Sequence, residues 1–116
     1  MAIVVIADDE QNLLELLKMV LEGLEHQVLT ASNGKEALQL VKSHRPALVI
    51  SDVMMPIMDG YELLEQIRLK VEWANIKVVL ISAASLKRSL LYKADAYLAK
   101  PYDIAVIEAV VSRLLG

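Results

Sequence analysis

A chain of 116 residues with 56% apolar side chains, no cysteine and a formal charge of −3 suits one packed domain and argues against a nucleic-acid surface. Lacking thiols, it can hold neither a disulfide nor a thiolate metal site, which makes oxygen ligands the favoured choice for any bound metal. No run approaches the ~20 apolar residues that span a bilayer, and Ile3 to Ala7 lacks a basic leader and runs into Asp8-Asp9-Glu10, which speaks against a signal peptide and predicts a cytoplasmic location.

In chain order, Ile3 to Ala7 reads as a first strand. Asp9 to Glu25 follows as a helix, its apolar stripe formed by Leu13, Leu17, Leu21 and Leu24. Gln27 to Ala31 is a second strand. Asn33 with Glu36 three residues on resembles a capping box, opening a helix that runs to about His44 before Arg45-Pro46 stops it. Ala47 to Ser51 is strand three. Asp59 and Glu62 repeat the capping pattern, with Leu63, Ile67 and Val71 as the buried stripe of the third helix and Trp73 in the loop beyond. Lys77 to Ile81 and Asp95 to Ala99 are strands four and five, and Asp103 caps a last helix whose inner face is Ile107, Val110, Val111 and Leu114.

Strands alternating with helices imply right-handed crossovers and a parallel sheet covered on both faces. The mean hydropathy of +0.45 fits strands that are apolar along their whole length. Five strands suggest the order 2-1-3-4-5, an α/β doubly wound sheet whose topological switch lies between strands one and three.

The strand ends carry the chemistry. Four apolar runs terminate on Asp8 and Asp9, on Asp52, on Ser82 and on Lys100, and a parallel sheet gathers all of these at one edge. Carboxylates about 4 Å apart repel by roughly 4 kcal/mol per pair at the effective dielectric of a protein surface. Lys100 offsets one charge, and a divalent cation offsets two, with Mg²⁺ the natural guest of a small all-oxygen site. Asp52, on the central strand, could then attack a phosphoryl group as a carboxylate nucleophile, with Ser82 and Lys100 holding its other oxygens. His26 and His44 are the only histidines and neither ends a strand, so the chain has no phosphohistidine site of its own.

Asp8-Asp9, then Ser51-Asp52-Val53-Met54-Met55-Pro56 with Asp59-Gly60, then Ser82-Ala83, then Ala94-Asp95-Ala96-Tyr97-Leu98-Ala99-Lys100-Pro101-Tyr102 resemble the receiver domain of bacterial two-component response regulators. The resemblance runs through the whole chain, 1–116, and implies a flavodoxin-like fold. It also implies Asp52 as phosphoacceptor, Asp8 and Asp9 as Mg²⁺ ligands beside Asp52, and the backbone carbonyl of Met54 as a further ligand. Ser82 becomes the hydroxyl that follows the phosphoryl group, Tyr97 the switch aromatic, and Lys100 the phosphate-contacting lysine, followed by a cis bond to Pro101.

Two positions depart from the pattern. Only eighteen positions separate Ser82 from Lys100, about one helical turn fewer than the family norm, which predicts a short or irregular fourth helix. Lys93 stands where the family has glycine, so the turn into strand five must avoid a positive φ or bear its cost.

The resemblance implies a signalling module rather than a turnover enzyme, phosphorylated by a histidine kinase or phosphotransfer protein and presenting a changed surface to a protein target, with no role for nucleic acid or membrane. The competing readings are a receiver-like interaction module that works without phosphorylation, a metal-dependent phosphohydrolase, for which the chain shows no substrate cap or second acid, and a flavodoxin-like electron carrier, whose flavin phosphate Asp8-Asp9-Glu10 would repel.

Overall fold

The computed structural model describes residues 1–83 and 93–116. They form β1 (Ile3–Ala7), α1 (Gln11–Gly23), β2 (Gln27–Ala31), α2 (Gly34–His44), β3 (Leu48–Asp52), α3 (Gly60–Arg68), β4 (Lys77–Ser82), β5 (Ala96–Ala99) and α4 (Ile104–Leu115), with a 3₁₀ turn at Val71–Trp73. All strand pairs are parallel, in the order β2-β1-β3-β4-β5. The shortened helix expected between β4 and β5 lies outside the described residues.

Alternation along the strands divides the core in two. Val5, Val49, Val78 and Leu80 face Ala37, Val41, Leu63, Leu64 and Ile67 of α2 and α3. Val4, Ile6, Leu48, Ile50, Val79 and Ile81 face Leu14, Leu17, Leu21, Ile107 and Val111 of α1 and α4. Side chains of successive strand residues point to opposite faces, so burial on both sides requires the unbroken apolar runs seen in the sequence.

Capping sets the helix starts. Asn33 accepts the Glu36 amide at 2.9 Å, while the Glu36 carboxylate reaches back to the Ser32 amide and hydroxyl rather than to Asn33. At α3 both halves of the capping box form, between Asp59 and Glu62. Asp103 precedes α4 as expected, but its side chain makes no capping bond.

The structure corrects two details of the apolar stripes. In α1 the buried residue of the first turn is Leu14, with Leu13 only half-buried. Val71 is not part of α3, which ends at Arg68; it sits in the 3₁₀ turn, 91% exposed, while Trp73 behind it is buried.

The last residue of α3 is anchored at the end of the sheet opposite the strand tips, and the backbone turns extended at Lys70. Arg68 donates to the carbonyls of Lys93 and Ile76 and to the Asp95 carboxylate, at 2.8–2.9 Å, and Asp95 also accepts the Val78 amide at 2.8 Å. Lys93 also reaches Glu65 at 2.9 Å.

Candidate functional site

Register places the polar strand ends. Ala7 pairs with Ser51, so Asp8 and Asp52 leave neighbouring strands at the same level; Asp52 pairs with Ile81 and Ser82 with Ala99, which brings Ser82 and then Lys100 one step further along the rim. The carboxylates of Asp8, Asp9 and Asp52 each offer an oxygen within 4.8 Å of the others. Lys100 Nζ stands 3.5 Å from Asp52 Oδ2 and 3.7 Å from Asp8 Oδ2. Asp8, Asp52 and Ser82 are buried, whereas Asp9 is exposed. The Lys100–Pro101 bond is cis.

Local hydrogen bonds orient the two buried carboxylates. Asp8 Oδ1 accepts the Glu10 amide at 2.9 Å and Asp52 Oδ1 the Val53 amide at 3.0 Å, leaving both Oδ2 atoms toward Lys100. Burial pushes the carboxyl of Asp8 up, opposed by the Glu10 amide and Lys100. Burial also pushes Asp52 up, with the charge of Asp8 adding to it and Lys100 opposing. One ammonium thus stands against three carboxylates, and the excess negative charge of an all-oxygen donor set is what a hard divalent cation neutralises. The residues fit Mg²⁺.

The loop from β3 to α3 is held close beneath the site. Gly60 donates to the Val53 carbonyl at 2.9 Å, and a Cβ on Gly60 would lie 2.5 Å from the Asp52 carbonyl oxygen. Gly34 donates to the Met58 carbonyl at 2.9 Å. Between these anchors Met58 donates to the Pro56 carbonyl at 2.7 Å across Ile57, whose φ is 70°. This is a γ-turn with a β-branched residue in the left-handed region, a costly conformation. The side chain of Met54 is 65% exposed at the mouth of the loop.

Of the residues singled out in the sequence, Asp8, Asp9, Asp52 and Lys100 meet at one place, and Ser82 lies buried on the adjacent strand end. Tyr97 stands apart from them on β5, 54% exposed. Sequence reasoning assigned no site role to the Glu10 amide, which any residue type supplies, or to Gly60, which reads only as a helix start. It also overlooked the hydroxyl of Tyr102, buried without a partner near the cluster.

This rim of three carboxylates and one ammonium on a 2-1-3-4-5 sheet defines a class. The family model of the response regulator receiver domain matches residues 4–112, and the chain belongs to that family. It is 36% identical to response regulator Rre1 of Synechocystis sp. over 116 residues, covering 96% of this chain and 50% of that protein. The alkaline phosphatase synthesis transcriptional regulatory protein PhoP of Bacillus subtilis is 32% identical, with 97% of this chain and 48% of PhoP covered. The chain therefore spans about half the length of these relatives. Among solved structures, response regulator TrrA of Thermotoga maritima, in complex with Mg²⁺ and BeF, superposes with a TM-score of 0.87 at 36% identity, covering 98% of this chain and 99% of that one. The receiver domain of a signal transduction histidine kinase from Syntrophus aciditrophicus superposes with a TM-score of 0.89 at 32% identity, covering 99% and 90%. Receiver domains are signalling modules. No helix among the described residues is long and apolar enough to cross a membrane.

Proposed function

We propose that residues 1–116 form one receiver domain that accepts a phosphoryl group on Asp52 from a histidine kinase or phosphotransfer protein in the cytoplasm, and that this changes the surface it offers a protein target. The observation that carries the reading is the placement of Asp52 between Asp8 and Lys100, with Lys100 Nζ 3.5 Å from its Oδ2. A carboxylate oxygen of Asp52 forms the new bond to phosphorus as the donor's P–N bond breaks, its electron pair staying with the departing imidazole nitrogen. Asp8, Asp9, Asp52 and the Met54 carbonyl would hold Mg²⁺, which when bound would supply positive charge for the phosphoryl oxygens. Lys100 pairs with another of these oxygens, and its release from Asp8 and Asp52 is compensated by that contact.

Ser82 donates its hydroxyl to the acquired phosphoryl group, and Tyr97 turns inward beside β5. Contacts made only in the phosphorylated state are what shift such an equilibrium, and Ser82 and Lys100 provide them. Intact mass after incubation with Mg²⁺ and acetyl phosphate tests the reading. One phosphoryl adduct is expected on the wild-type chain and none on Asp52→Asn; a wild-type chain that stays unlabelled would favour a phosphorylation-independent interaction module.

A further inference from the structure

Among the described residues, the hydroxyl of Tyr102 is the buried side-chain oxygen that has no hydrogen-bond partner. Its ring packs against the apolar cluster of α1 and α4, a task phenylalanine performs without a polar atom. Leaving a buried hydroxyl unpaired forfeits its hydration for no return, so such groups are rare and call for an explanation. The surroundings supply one. Tyr102 lines a cavity of about 430 Å³ with Glu10, Leu13, Lys100 and Ile104, between the start of α1 and the turn from β5 to α4. That cavity borders the acidic cluster through Lys100, which contacts both Asp8 and Asp52.

The neighbouring acceptors have capacity to spare. Asp8 Oδ1 takes one amide and Oδ2 faces Lys100 at 3.7 Å, too long for a hydrogen bond, whereas an ionised carboxylate offers about four acceptor positions. We infer that Tyr102 is an outer-sphere positioning residue of the cation site, its hydroxyl donating to the Asp8 carboxylate when the ion is bound. The inference rests on the reading of Asp8 as a cation ligand. A tyrosine hydroxyl carries its proton at neutral pH, and toward a carboxylate, which only accepts, it acts as the donor. A donor fixed behind a ligating carboxylate orients it, and loss of such a partner typically weakens metal binding.

The test compares wild type with Tyr102→Phe in two measurements on the unphosphorylated chain: Mg²⁺ binding by calorimetric titration, and thermal unfolding without divalent cation. The expected result is a split, with Mg²⁺ affinity about tenfold weaker in Tyr102→Phe and the metal-free melting temperature equal to or above that of wild type. Equal Mg²⁺ affinity for the two proteins would overturn the inference while leaving the cation site standing. A lower metal-free melting temperature in the variant would also overturn it, since the hydroxyl would then have a partner before the ion arrives. A wild-type chain that binds no Mg²⁺ would remove the cation reading itself, and the inference with it.

Discussion

Asp52 and Asp8 are buried carboxyls whose protons are held more tightly in the folded chain than in the unfolded one. The sign follows from linkage. At a pH below the unfolded value both states are protonated and the folded state bears no buried charge; as pH rises through the folded value that advantage is lost, and at neutral pH the fold carries the cost of both anions. Asp52→Asn removes one anion at constant volume. Without divalent cation at pH 7 its melting temperature should exceed that of wild type by a few degrees, corresponding to on the order of 1 kcal/mol, and the difference should vanish as pH falls through the ordinary carboxylate range near pH 4. Scanning calorimetry across that range checks it, and a variant less stable at pH 7 would mean that Lys100 more than offsets the charge.

Among elements, the loop from β3 to α3 carries two opposite backbone constraints. A methyl group on Gly60 would press on the Asp52 carbonyl, whereas Ile57 holds a conformation that glycine adopts freely. Ile57→Gly should therefore raise unfolding stability by about 0.5–1 kcal/mol, the left-handed cost less the added chain entropy. Since the Ile57 side chain is 74% exposed, little packing is lost. Gly60→Ala should lower stability by about 1–3 kcal/mol. Urea unfolding of both variants measures the contrast, and a destabilised Ile57→Gly would show that the isoleucine makes a compensating contact. Nothing in the sequence foretells Ile57, because a β-branched residue argues against positive φ. The same holds for the end of α3: apolar spacing carries the stripe on to Val71, but the bonds of Arg68 to Ile76, Lys93 and Asp95 join segments that only the folded sheet brings together.

For the molecule as a whole, strand order and the convergence of Asp8, Asp52 and Lys100 were legible because each depends on one strong signal, an apolar run ending in a polar residue. The Tyr102 hydroxyl was not, because burial of one oxygen depends on how α1 and the last turn pack together. If the acidic rim holds a divalent cation as proposed, the stability of the whole fold should respond to it. Mg²⁺ at a hundredfold excess over its Kd should add about 2.7 kcal/mol to unfolding stability, read as a melting shift of several degrees. Asp8→Asn should show a smaller shift. Sodium chloride at matched ionic strength should reproduce little of it, since salt screens exposed Asp9 far better than the buried pair; an equal shift with sodium would assign the effect to screening.

The stepwise pairing of strand ends has a further consequence for how chain length can vary. Side chains alternate with a period of two, so one residue inserted within Ile3–Ala7 or Leu48–Asp52 would invert the strand beyond it and turn its terminal carboxylate toward the opposite face. A residue added far from the strand tips, in a connection at the Arg68 end, leaves that phase untouched. Insertions and deletions are thus accommodated at the Arg68 end and disruptive within the strands, so connections there can vary in length while the polar rim keeps its geometry.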